Sequence, residues 1–137
     1  MATIKASKLN RAPMNSAQGD LCAFTSSITL AAAAVSDVIE FAQLPAGTEI
    51  IDVQLVNDAL GASVTLNAGY RFVDSTVGAA VPAAFQAAAA KTSAGKSSSI
   101  AHPAIFNDPI VITSTVAGAA ATGKVTAIIT YRFIGTM

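Results

Sequence analysis

Tryptophan is absent from this sequence, and histidine and cysteine occur once each, at His102 and Cys22. A single cysteine closes no intramolecular disulfide. A structural zinc site takes four nitrogen or sulfur ligands, and a Ser-His-Asp constellation needs its histidine beside a nucleophile and an acid. One histidine, followed by Pro103 in what reads as a loop, supplies neither. Charge is scarce as well, at 12% of residues against about 25% in ordinary domains. The eight basic and eight acidic side chains cancel. No stretch approaches the ~20 apolar residues of a membrane helix, so no membrane partner is expected. Zero net charge, with no aromatics interleaved among Lys5, Lys8 and Arg11, speaks against a nucleic-acid partner. Leu21 to Val35 resembles a secretory core, but Thr25, Ser26, Ser27 and Thr29 interrupt it.

The remaining chemical motifs are incomplete. Gly95-Lys96-Ser97 looks like the end of a phosphate-binding loop, but the motif needs a glycine five residues earlier, where Ala90 stands. The carboxylates Asp37, Glu40, Glu49, Asp52, Asp58, Asp74 and Asp108 are scattered. With no tryptophan and two tyrosines, they lack the aromatic setting of a sugar-cleaving pair. No enzyme activity and no cofactor are expected.

What is present is strand patterning. Val64, Leu66, Ala68, Tyr70 and Phe72 alternate with Ser63, Thr65, Asn67, Gly69 and Arg71, which is the signature of a strand with one buried and one wet face. Ile51, Val53 and Leu55 alternate likewise, as do Val125, Ala127, Ile129, Tyr131 and Phe133. Val64, Leu66, Tyr70, Ile51, Val53, Leu55, Ile129, Tyr131 and Phe133 are the expected core. Turns at Leu44-Pro45-Ala46-Gly47 and other small-residue clusters separate the runs. These features predict one all-β domain over residues 20–137, an antiparallel β-sandwich or jelly-roll-like barrel of roughly seven or eight strands. At most one short helix is expected, over Ala83 to Lys91, where alanines follow Pro82; an ordered loop serves equally there. Residues 1–19 lack apolar periodicity and read as a flexible extended arm. Its Lys5, Lys8 and Arg11 are the candidate partner-binding residues.

Thirty of the 137 residues are alanine, so the 53% hydrophobic content overstates the core. A lean core and a neutral surface point to a subunit that associates. Ile50, Val56, Ile128 and Ile134, read as facing outward, would supply apolar contacts between copies.

One internal echo stands out. Val64 to Phe72 reads VTLNAGYRF and Val125 to Phe133 reads VTAIITYRF. Each follows a β-run and a small-residue turn, as two similar hairpins would in two packed sheets. Apolar/Thr alternation ending in aromatics is also simply what strands look like.

The block LPAGTEIIDVQLVNDALGASVTLNAGYRF (44–72) and the ending IFNDPIVITSTVAGAAATGKVTAIITYRF (105–133) resemble the capsid decoration, or cement, proteins of tailed bacteriophages. The resemblance runs from about residue 36 to the end and carries no catalytic motif. It implies a protein made in the host cytoplasm that sits on the exterior of the virion. Its partners would be the major capsid protein and copies of itself, as a homotrimer. A head-fibre, tail or lectin-like receptor-binding module shares the same strand style.

Overall fold

The computed structural model of the chain describes residues 2–6, 9 and 21–134. Among them are ten strands and no helix. In chain order these are β1 (Thr3–Lys5), β2 (Leu21–Ala33), β3 (Val38–Leu44), β4 (Thr48–Asn57) and β5 (Thr65–Phe72). Then come β6 (Val81–Ala90), β7 (Gly95–Ser97), β8 (Ala104–Phe106), β9 (Ile110–Ala117) and β10 (Ala121–Phe133). The first sheet runs β1-β3-β9-β5-β6 and the second β2-β10-β4-β7, with β8 also bonded to β4. The expected all-β sandwich forms, and neither sheet closes into a barrel.

The inward faces follow the alternation. Val53, Leu55, Val64, Leu66, Ile129 and Tyr131 are buried between the sheets, joined by Leu30, Ile39, Phe41 and Leu44. Tyr70 and Phe133 are half-buried. Tyr70 packs edge-on against Phe106 and Phe72, with ring centres 4.8 and 5.5 Å apart, so aromatics close one rim of the core. Ile51 and Ile50 exchange roles. The β10 register steps from Thr130 opposite Asp52 to Tyr131 opposite Ile50, leaving Ile51 as the extra residue of a bulge. Ile50 is therefore buried at 2% exposure, and it leaves the set of outward apolar residues.

Ala83 to Lys91 is neither helix nor loop, since β6 covers most of it. Helix propensity is a weak prior, worth less than about 1 kcal/mol per residue. Here it loses to the ladder with β5 and to the burial of Phe85 and Gln86. Gln86 Nε2 donates across the sandwich to the Val53 carbonyl at 2.8 Å, and Ser97 Oγ donates to Gln86 Oε1 at 2.8 Å. Lys91 Nζ donates to Ser97 Oγ at 3.0 Å. Burial holds the Lys91 ammonium below the ordinary lysine pKa. This network ties the edge of the first sheet to that of the second.

The two stretches read as hairpins are arches between sheets. β4 lies in the second sheet and β5 in the first, whereas β9 lies in the first and β10 in the second. Each strand is better used when its apolar face meets the opposite sheet than when it pairs with its sequence neighbour. The arches pack on each other. Gly118 turns at φ +83°, and a Cβ there would stand 1.9 Å from the Ser63 carbonyl oxygen. Thr122 N donates to the Leu60 carbonyl at 3.1 Å, and buried Leu60 plugs that end of the core.

Part of the expected arm belongs to the sheet. β1 pairs parallel with β3, Thr3 opposite Val38 and Lys5 opposite Glu40. The Asp37 carboxylate accepts from Ala2 N and Ala34 N, both at 3.0 Å, which fixes the start of β1 to the β2–β3 arch. Ala6 and Leu9 are buried.

Candidate interaction surface

The two sheets present different outer faces. On the second, β10 contributes Thr126, Ile128 and Thr130, with Ser27 and Thr25 of β2 opposite the first two of these. Gln54 and Val56 of β4 stand on the other side. At one end Arg132 pairs with Glu49, its direct neighbour across the β10–β4 ladder. This face is flat, small and rich in hydroxyls.

The first sheet carries a groove with a cavity volume of about 460 Å³. Its floor is Val38 and Glu40 of β3, Thr113 and Thr115 of β9, and Arg71 of β5. Thr3 of β1 and Ser36 form one wall, and Ala80 and Pro82 form the other. That second wall exists because β6 begins by crossing over β5. A Cβ on Gly69 would lie 2.1 Å from the Val81 carbonyl oxygen and 2.3 Å from the Pro82 carbonyl carbon, so only glycine allows the crossing. The β5–β6 hairpin is tightened at Asp74, whose Oδ1 accepts from Thr76 Oγ1 at 2.7 Å and Thr76 N at 3.0 Å. Those bonds hold the Asp74 carboxyl below its usual pKa.

At the groove floor Arg71 Nε donates to Glu40 Oε2 at 2.5 Å, reaching over the intervening strand β9. Strand spacing of about 4.8 Å makes this a span of roughly 10 Å between backbones, and the side chain that bridges it shields what lies beneath. The Glu40 side chain is 4% exposed, while that of Arg71 is 38% exposed. Glu40 Oε1 is buried and has no hydrogen-bond partner. Arg71 Nη1 also donates, at 3.3 Å, to the Phe72 carbonyl.

Of the residues singled out for partner binding, Lys5 is exposed and shares the outer face with Glu40, its parallel register partner. Lys8 and Arg11 lie outside the described residues. The groove pair was not singled out, since Glu40 and Arg71 are 31 residues apart in the chain. The available signal was the polar Glu40 inside the apolar run Val38-Ile39-Phe41-Ala42. His102 is exposed between β7 and β8. No group of three or more His, Cys, Asp or Glu side chains among the described residues could hold a metal ion.

Against solved structures, this groove-bearing sandwich has end-to-end counterparts. A chain in the capsid of Ralstonia phage GP4 matches with a TM-score of 0.74 at 22% identity, over 98% of this chain and 99% of that one. The fold is one found in phage capsids. A chain of the cyanophage Pam1 capsid asymmetric unit matches with a TM-score of 0.64 at 21% identity, over 89% and 91%. One from the acid-stable capsid of Helicobacter pylori bacteriophage KHP30 gives 0.57 at 15%, over 88% and 93%. No family model and no curated protein sequence matches the chain.

Proposed function

We propose that this chain is a non-enzymatic structural protein of a phage virion that binds the outside of the assembled capsid and stabilises its lattice. The observation that carries the reading is the match along essentially the whole chain to a chain of the GP4 capsid. The surface agrees. The long edge strand β2 contains no charged residue and no proline, so it lacks two usual guards against edge-to-edge pairing and suits a subunit that associates. Its partners are the major capsid protein and copies of itself, as a homotrimer. Val56 and Ile128 on the second sheet supply apolar contact, and Lys5, Lys8 and Arg11 of the arm at 1–19 add contacts to acidic capsid surface. The protein is made in the host cytoplasm and ends on the virion exterior.

Capsid shells assembled without this chain provide the test. Purified protein should co-sediment with them, raise their thermal or mechanical resistance, and show as external density with threefold symmetry in particle images. A protein that stays in the supernatant, or density on the inner surface, rules the reading out.

A further inference from the structure

The groove holds a buried acceptor with nothing to accept. Glu40 Oε1 is shut from solvent and unpartnered, while Oε2 is held by Arg71. Buried polar groups in native proteins are nearly always hydrogen-bonded, so one left open at the floor of a groove calls for a donor from outside. We infer that the groove takes an extended segment of the capsid partner, with a neutral amide of that segment donating to Glu40 Oε1. The inference rests on the capsid-binding function proposed above.

The geometry selects the occupant. The groove reaches from Thr3 on β1, an edge of the five-stranded sheet, to Pro82, which lies over β5. Three strand spacings of about 4.8 Å make that roughly 14 Å, the length of about four residues of extended chain. The volume lies within the ~300–1,000 Å³ usual for binding clefts. The Glu40 acceptor sits beside the Arg71 guanidinium, which spends Nε on Glu40 and Nη1 on Phe72. An amide offers an N–H to the first and a carbonyl to the second. A basic side chain would meet Arg71, with Lys5 on the same face; an acidic one would meet Glu40. Thr3 and Ser36 on one wall and Thr115 on the floor offer hydroxyls to the backbone of the guest.

Three variants and empty capsid shells test this. Ala80→Trp fills the groove from its rim. Glu40→Gln keeps the shape but turns its oxygen to Arg71 and offers an NH₂ where the acceptor was. Thr92→Trp adds equal bulk on an exposed loop away from the groove. With melting curves and oligomeric state monitored, Ala80→Trp and Glu40→Gln should each weaken shell binding at least tenfold, and Thr92→Trp should bind as wild type. Folded Ala80→Trp that binds normally overturns the inference, and if it has lost only self-association the occupant is a second copy instead. Normal binding by Glu40→Gln overturns the amide contact. Wild-type protein that ignores the shells sinks the proposed function and this inference with it, a result distinct from either variant failing alone.

Discussion

The nine residues from Val64 to Phe72 and the nine from Val125 to Phe133 lie in opposite sheets and share a plan. Val64 and Val125 are buried, and Tyr70 and Tyr131 turn inward. Arg71 and Arg132 point outward, each to a glutamate on its own sheet. Even the neighbours correspond. β5 pairs with β9, the run before β10, while β10 pairs with β4, the run before β5. Yet one copy builds the floor of a groove and the other an open face. The difference traces to two outward positions. Gly69 stands where the second copy has Thr130, and it lets β6 cross over the sheet. Asn67 stands where the second copy has Ile128, and its Oδ1 accepts from Thr115 N at 2.8 Å. The inward swaps, Leu66 with Ala68 against Ala127 with Ile129, place one large and one small side chain in each strand. Total volume is nearly conserved, which cores tolerate.

The largest effect should come where the copies agree. Leu66→Ala and Ile129→Ala each remove a fully buried aliphatic side chain and should cost about 2–5 kcal/mol in chemical denaturation. Thr65→Ala, on the wet face of the same strand, should cost less than ~1 kcal/mol. Similar losses at Leu66 and Thr65 would show that β5 buries both faces, and the shared plan would fail.

The arginines should separate the copies next. Arg71→Ala strands a carboxylate that is almost completely buried, so it should cost about 3 kcal/mol, at the lower end for a broken buried pair because the guanidinium is partly exposed. Arg132→Ala breaks a pair with 45% and 13% exposed side chains and should cost under ~1 kcal/mol. Added salt should narrow the Arg132 difference and leave the Arg71 difference nearly unchanged. Equal costs would mean that Glu40 is as well solvated as Glu49.

How far this contrast could be read from sequence depends on range. The strand faces were legible because alternation is local. The inward set was right at Val53, Leu55, Val64, Leu66, Ile129 and Tyr131, and it slipped at Ile51 because a bulge shifts phase without any local mark. The alanines of β6 carry a helix signal that only the long-range ladder to β5 and the burial of Phe85 override. The arches read as hairpins because sequence neighbours usually pair, and here both strands need the opposite sheet. The groove was invisible for the same reason, as its pair spans three strands. The echo showed the two arginines as equivalents, but not that one would reach over β9 and the other to its nearest strand.

The most local effects belong to the exchange at the position that makes the surfaces differ. Gly69→Thr gives the first copy the residue of the second. Its Cβ would meet backbone atoms of Val81 and Pro82 at 2.1–2.5 Å, too close for any rotamer to relieve, so β6 must lift at its start. Overpacking of this kind costs about 1–3 kcal/mol. Because the collision is confined to the beginning of β6, the loss should be local. Amide exchange should rise over 81–84, while the Gln86 bond to Val53 holds the rest of the strand. The reverse change, Thr130→Gly, meets no crossing strand and should cost only about 0.5–1 kcal/mol, the ordinary penalty for glycine in a strand. Its exchange pattern should not move beyond β10 and its two partners. If Gly69→Thr melts like the wild type with unchanged exchange at 81–84, then β6 does not lie over β5. The groove would then have no second wall, and the outer faces of the two sheets would be as alike as their sequences.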